Sequence, residues 1–151
     1  MKEYVADSLR ELYRLEHLIY VSLKYTRTSD ILISIIRRSI SFLDLVWIAL
    51  LEKAKKEKKI EDYGAQPLAA VARVKELYSD ERIEAMIAYY LKLRKISKAD
   101  YISQNEYRRQ LTMTVILSQD EVERITIDSV TEDYKSLSAF FSYLRDKYFN
   151  I

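Results

Sequence analysis

The chain has almost no turn-forming residues: one glycine, Gly64, and one proline, Pro67, occur among 151 residues. Sandwiches and barrels need many tight turns, and tight turns depend on Gly, Asn or Pro. The scarcity therefore predicts long helices with few connections. Apolar residues make up 49% of the chain and charged residues 32%, which is typical of a globular protein. A chain of this length is predicted to form one domain over residues 1–151.

One apolar segment, residues 31–51, is long enough to span a membrane. Arg37, Arg38 and Asp44 lie inside it, and each would cost about 2.5–3.5 kcal/mol at the bilayer centre. We therefore predict no membrane span but a helix that is buried on most of its sides. Its cover is either the rest of the bundle or a sister subunit, and the sequence leaves both open.

Apolar periodicity and capping residues predict the helices in order. They cover residues 3–25, 30–58, 67–78 and 80–98, a short segment at 104–110, and a final helix from 128. The predicted N-caps are Thr28 or Ser29, Ser79, Ser103 (in a capping box with Glu106) and Asp128. Apolar residues of the final helix recur every three or four positions from Val130 to Tyr148, and this seam packs within the bundle or across a dimer.

Two runs rich in Thr, Val and Ile, residues 111–117 and 122–128, are separated by four polar residues. Such β-favouring runs are typical of a hairpin. The alternative is a helix capped by Ser118 with Glu121. The predicted fold is thus mostly all-α, an up-down bundle of about five helices with a small β-hairpin at residues 111–128 before the C-terminal helix.

Several kinds of chemistry are excluded by composition. The chain has no cysteine, and its acids show no clustered metal-ligand spacing, so neither a metal nor a cofactor is predicted. A single glycine excludes Walker and dinucleotide-binding loops. The lack of cysteine and of an apolar signal core near residue 1 predicts a cytoplasmic protein. Few Asn and Gln beside plentiful Lys, Arg and Glu are typical of a thermophile.

The only histidine, His17, shares one helix face with Arg10 and Arg14. A histidine beside two guanidiniums can act as a general base on a ribose hydroxyl while the arginines stabilise the developing charge. This predicts a metal-independent ribonuclease as an alternative function. The other interpretation is an amphipathic surface stripe.

Residues 92–109 form the most basic mixed stretch, with six Lys or Arg and two acids, although the whole chain has a net charge of only +2. Tyr101 and Tyr107 are interleaved with the basic residues. Such a mixture can bind single-stranded nucleic acid through phosphate contacts and stacking, or it can be a solvated helix face. The predicted ligand-binding residues are Arg94, Lys95, Lys98, Arg108 and Arg109.

Arg94 continues an apolar stripe of the fourth helix, formed with Ile83, Ile87 and Tyr90. A guanidinium on such a stripe needs a partner, and Asp44 on the polar side of the second helix is a candidate. Alternatively, the guanidinium reaches water at the helix end.

The segment YYLKLRKISKADY, residues 89–101, resembles the HEPN domains, which are small helical bundles common in archaea and bacteria. The resemblance implies a dimer, and it implies either ribonuclease activity or a partnership with a small nucleotidyltransferase. Arg94 matches the signature arginine and Lys95 the following polar position. The signature histidine is missing, because Ala99, Asp100 or Tyr101 would occupy its position.

Three functions follow from these observations. The first is a non-catalytic, HEPN-like binding or assembly module, dimeric, with a basic cleft around Arg94 for nucleotide, RNA or a protein partner. The second is the ribonuclease that uses Arg10, Arg14 and His17. The third is a structural subunit of a larger complex, since the chain also resembles the helical part of archaeal GINS replication subunits.

Overall fold

The structure, a computed structural model, describes residues 1–150 and consists of five helices and a three-stranded sheet. The helices are α1 (Lys2–His17, continued by a π-helical turn at Leu18–Ser22 and a last turn at Leu23–Tyr25), α2 (Ser29–Lys56), α3 (Pro67–Leu77), α4 (Glu81–Lys98) and α5 (Ile127–Leu144, continued by a π-helical turn at Arg145–Phe149). The strands are β1 (Asp100–Gln104), β2 (Thr112–Ile116) and β3 (Val122–Thr126). The predicted fold class, mostly helical with a small β-hairpin before the last helix, is confirmed.

Helix α2 is the centre of the molecule because the chain's own helices cover its apolar faces. It packs against α1, α3, α4 and α5, and its Phe42 and Trp47 are completely buried. Phe42 meets Phe141 of α5 edge to face at 5.8 Å, and Trp47 meets Tyr90 of α4 at 5.7 Å. Each such fully buried side chain contributes about 1.5–3 kcal/mol through removal from water. The cover of residues 31–51, which the sequence left open, is therefore intramolecular.

The apolar seam of α5 also faces inward. Val130, Leu137, Phe141 and Leu144 are buried in the common core. Both faces that the sequence offered for a dimer contact are thus used within the chain. A homodimer stays a prediction.

The helix starts differ from the predicted caps at two places. Thr28 caps α2 as expected, since its hydroxyl accepts the Ile31 N–H at 3.4 Å. Asp80, not Ser79, caps α4. Thr126, not Asp128, caps α5, because Thr126 and Ser129 form a reciprocal capping box. In both corrections the residue selected is the one whose side-chain oxygen lies within reach of the free N–H groups.

The sheet has strand order β1-β2-β3 and is antiparallel throughout. Strands β2 and β3 are the predicted hairpin. The short helix predicted at 104–110 is wrong, because β1 adds a third strand beside β2 and turns follow it. Met113, Val115 and Ile125 point to the core, so the inner face of the sheet closes one side of the bundle.

The structure bears on the prediction that no segment spans a membrane. Among residues 1–150, none of the helices combines the length and the unbroken apolar character that crossing a bilayer requires.

Candidate functional site

The three residues of the ribonuclease hypothesis lie on the exposed side of α1. The guanidinium of Arg10 pairs with Asp7, and that of Arg14 pairs with Glu11 at 2.5 Å. Glu11 also receives Arg38 of α2 at 3.3 Å. Both guanidiniums, which the hypothesis needs to stabilise the charge on the phosphate, are therefore bound to carboxylates one helical turn away. His17 is exposed to solvent.

Arg94 lies half-buried beside Tyr90, as the apolar stripe of α4 predicted. Its guanidinium donates to the Tyr90 hydroxyl at 3.4 Å, and that hydroxyl donates to the carboxylate of Asp44 at 2.5 Å. Burial raises the pKa of Asp44, while the hydrogen bond from Tyr90 and the charge of Arg94 oppose the increase. Arg94 is thus linked to Asp44, its expected partner, through the Tyr90 hydroxyl. These hydrogen bonds join α4 to α2.

The basic stretch of residues 92–109 divides into two groups in space. Lys95 and Lys98 are exposed on α4, on the same helix as Arg94. Arg108 and Arg109 lie in the β1–β2 loop, which contacts the N-terminal end of α2 at Ser29. Asp44, beside Arg94, is fifteen residues further along α2, or roughly 20 Å at 1.5 Å per residue. Arg94 and the loop arginines therefore lie near different parts of α2.

The β1–β2 loop and the α1–α2 connection together form a surface that we call the basic loop surface. It consists of Lys24, Tyr25, Arg27, Tyr107, Arg108 and Arg109. Tyr25 is 78% exposed and Tyr107 is 76% exposed, the highest values for any aromatic side chain among residues 1–150. At this exposure the two rings contribute little buried area to the core.

Glu106 fixes the loop of this surface to α2. Both of its carboxylate oxygens accept the Ser29 N–H at 3.3 Å, and the Ser103 hydroxyl donates to the same carboxylate. The hydroxyls of Ser29 and Ser103 lie 2.6 Å apart. A negative charge at a helix N-terminus is favourable because it complements the helix dipole. Ser103 and Glu106 do act together in capping, but the helix end they support is that of α2.

Tyr107 has an unusual backbone conformation, and a hydrogen bond to Arg27 holds it in place. Its φ is 65°, in the left-handed region that a bulky residue rarely adopts, and Asn105 has a φ of 59°. The Tyr107 N–H donates to the carbonyl of Arg27 at 2.6 Å, which joins the two connections that form the surface. Backbone strain of this kind costs about 1–3 kcal/mol and tends to occur at functional sites. Here it leaves the Tyr107 ring in solvent.

The sequence identified only half of this surface. Tyr107, Arg108 and Arg109 belong to the predicted basic stretch, whereas Lys24, Tyr25 and Arg27 lie around a segment interpreted only as a break between helices. A basic residue followed by an aromatic one at a helix end, as in Lys24–Tyr25, is the one signal that could have indicated it.

A second concave region lies between α4 and α5. This groove, of about 480 Å³, is lined largely by apolar atoms, including those of Met86 and Phe140. Tyr89 lies beside Asp133, whose pKa is raised by burial, and the guanidinium of Arg82 lies 4.5 Å from the ring centre of Tyr143. Arg82 and Asp133 are the charged residues among those that line the groove, so the groove has no excess of positive charge, unlike the basic loop surface.

Across residues 1–150, no three His, Cys, Asp or Glu side chains come together in a group that could hold a metal ion.

Comparison of the chain with protein-family models, with curated proteins and with solved structures finds no match. The resemblance to HEPN domains therefore stays a prediction.

Proposed function

We propose that the protein is a non-catalytic binding module that takes single-stranded nucleic acid on the basic loop surface. The observation that carries the proposal is the juxtaposition of the two most exposed aromatic rings, Tyr25 and Tyr107, with the basic side chains of two connections joined by a hydrogen bond. Flat exposed rings stack on bases of any sequence, and Lys or Arg between them neutralise the phosphates.

Two features favour binding over a merely solvated surface. Arg27 and Arg108 have no ion pair among residues 1–150, so a phosphate would not have to displace a carboxylate from either guanidinium. The loop is held in shape by Glu106 and by the Arg27 carbonyl before any ligand arrives, which lowers the entropy cost of association. With a net charge of only +2, the attraction is local to this surface rather than general.

The proposal keeps the non-catalytic character that the missing signature histidine of the HEPN resemblance implies. The ribonuclease alternative has less support because the guanidiniums of Arg10 and Arg14 are paired with Asp7 and Glu11. A cytoplasmic location, a dimer and a nucleotidyltransferase partner are compatible with the proposal and remain parts of the HEPN-like hypothesis.

The test measures the affinity for a short labelled single strand over a series of salt concentrations. We expect Lys24→Gln with Arg108→Gln to weaken binding by about tenfold or more and to reduce the slope of log affinity against log salt by about 0.7 per lost phosphate contact. We expect Tyr25→Leu with Tyr107→Leu to weaken binding by about 1–3 kcal/mol per unstacked base, with little change in the slope.

Two charge-matched double variants serve as comparisons. Lys55→Gln with Lys56→Gln removes the same charge from the opposite end of α2, about 40 Å away, and should change affinity less than about twofold. Lys95→Gln with Lys98→Gln tests the cleft around Arg94 that the sequence suggested. Equal losses in all three pairs, or no binding to wild type at low salt, would contradict the proposal.

A further inference from the structure

A pocket of about 290 Å³ adjoins the basic loop surface, between the end of α1 and the start of α5. Three cationic side chains line it, those of Lys24, Arg27 and Arg109, with Asp128 as the one acid. The remaining wall is mostly apolar and comes from Ile19, Tyr20, Leu23, Ile127 and Thr131. The pocket therefore has two more positive than negative groups in a concave site.

Arg27 has an unsatisfied donor in this region. Its Nε is buried and has no hydrogen-bond partner among residues 1–150. A buried N–H without an acceptor is costly, and native proteins rarely retain one without a reason such as a bound ion. The carbonyl of Arg27 is engaged by the Tyr107 N–H, so the residue is held in place while its guanidinium lacks an acceptor.

The other polar groups of the pocket are satisfied or easily displaced. The Thr131 hydroxyl donates to the Ile127 carbonyl at 2.7 Å, and the capping box of Thr126 occupies the first turn of α5. Arg109 pairs with Asp128 at 3.0 Å, but Asp128 is 83% exposed. An ion pair in that setting contributes little, so an incoming anion can share or replace Asp128 as the partner of Arg109.

We propose that this pocket is a phosphate-monoester site and that the monoester is the terminal phosphate of the strand lying on the basic loop surface. The proposal rests on the proposed function and adds to it the recognition of a strand end. A monoester carries a charge of about −1.5 to −2 at neutral pH and has three free oxygens, one for each cation of the pocket. A phosphodiester within a strand has one charge and two free oxygens, so it matches the three cations of the pocket less completely.

The experiment compares one oligonucleotide sequence in three forms, with a 5′-phosphate, with a 3′-phosphate, and with hydroxyls at both ends. We expect one phosphorylated form to bind about tenfold or more tightly than the hydroxyl form. Arg27→Lys, which keeps the charge but removes Nε, and Arg109→Gln should each reduce this preference. Arg108→Gln, outside the pocket, should weaken all three forms by the same factor. The thermal unfolding midpoint of each variant verifies that it is folded.

The outcomes distinguish the proposal about the pocket from the proposal about strand binding on the basic loop surface. Equal affinity for the three forms overturns the terminal-phosphate proposal and leaves strand binding intact. If no form binds, a nucleoside monophosphate is compared with its nucleoside in a thermal shift assay. If the monophosphate stabilises the protein, the nucleoside does not, and Arg27→Lys removes the effect, the phosphate site is supported. The same result shows that the phosphate does not come from a bound strand, and it contradicts the proposed function. Absence of stabilisation overturns both proposals.

Discussion

At the scale of single residues, Asp80 makes the densest set of polar contacts in the described chain. Its side chain is only 2% exposed. One oxygen accepts the N–H groups of Arg82 and Ile83 at the start of α4, and the other accepts the hydroxyls of Tyr143 and Tyr148 at 2.6 Å. A serine has one oxygen and could not both cap α4 and hold the end of α5. This explains why Asp80 takes the place predicted for Ser79.

The charge of Asp80 should appear in the pH dependence of stability. Burial opposes ionisation, but the hydrogen bonds from Tyr143 and Tyr148 hold the pKa of Asp80 well below its usual value near 3.8. The stabilisation is therefore complete above about pH 4 and is lost as the pH falls toward the folded-state pKa. We expect Asp80→Asn to flatten the acid limb of urea-unfolding free energy against pH, and Asp80→Ala to cost about 2–4 kcal/mol at neutral pH.

The exposed Asp7, changed to Asn, is the control for Asp80, because it loses the same charge without a buried network. Identical acid limbs for wild type and Asp80→Asn would show that the carboxylate has no special role.

At the scale of elements, prediction succeeded where a pattern is long and failed where partners are distant. The four long helices and the hairpin follow from many periodic apolar residues, each adding to one signal. Strand β1 has five residues and exists because the edge of β2 is available to it. The spacing of Ser103 and Glu106 is a local signal for a helix start, yet their partner Ser29 is more than seventy positions away.

The basic loop surface, too, was predictable from the sequence only in part. Arg108 and Arg109 are visible as charges in a basic stretch, but their separation from Arg94 results from the path of the chain through β1. Arg27 became relevant only through its contact with Tyr107, which no local pattern encodes.

The C-terminal end of α2 provides a prediction about element boundaries. Lys58 follows the helix with a φ of 60°, and the Lys59 N–H donates back to the Ala54 carbonyl at 2.9 Å, as in a Schellman motif. A left-handed residue with a side chain costs about 1–2 kcal/mol compared with glycine. We therefore expect Lys58→Gly to raise the free energy of unfolding by about 1 kcal/mol in urea titrations. Lys56→Gly, at the last residue of the helix, should lower it instead, because glycine has a poor helix propensity.

At the scale of the whole molecule, tyrosine hydroxyls tie separate elements together. Each of several buried or half-buried tyrosines reaches a carboxylate on a distant segment. The pairs are Tyr63 with Glu52, Tyr90 with Asp44, Tyr134 with Glu16, and Tyr148 with Asp80. Such bonds require the neutral phenol as donor, so they depend on pH at the alkaline end.

We expect an alkaline loss of stability that begins near the ordinary tyrosine pKa. Burial and the neighbouring carboxylates raise the pKa of Tyr134 and of Tyr148 from 10.0 to about 12. A group with a raised pKa stabilises the fold fully below pH 10, and this contribution is lost as the pH rises toward 12. Phenolate absorbance of the folded protein should therefore develop at higher pH than that of the urea-unfolded chain, and Tyr148→Phe should reduce the difference. Superimposed titration curves would refute this expectation.

The hydrogen bond from the Ser29 N–H to Glu106 should make ligand binding to the loop detectable at the start of α2. Because Glu106 joins the loop to this helix end, fraying of that turn removes one of the two contacts that hold Tyr107 and Arg108 in place, the other being the hydrogen bond from the Tyr107 N–H to the Arg27 carbonyl. An isolated peptide with the sequence of residues 92–109 would have the same charges but no such support. In the intact protein, occupancy of the surface should slow deuterium uptake at Ser29, a position that the strand itself need never touch.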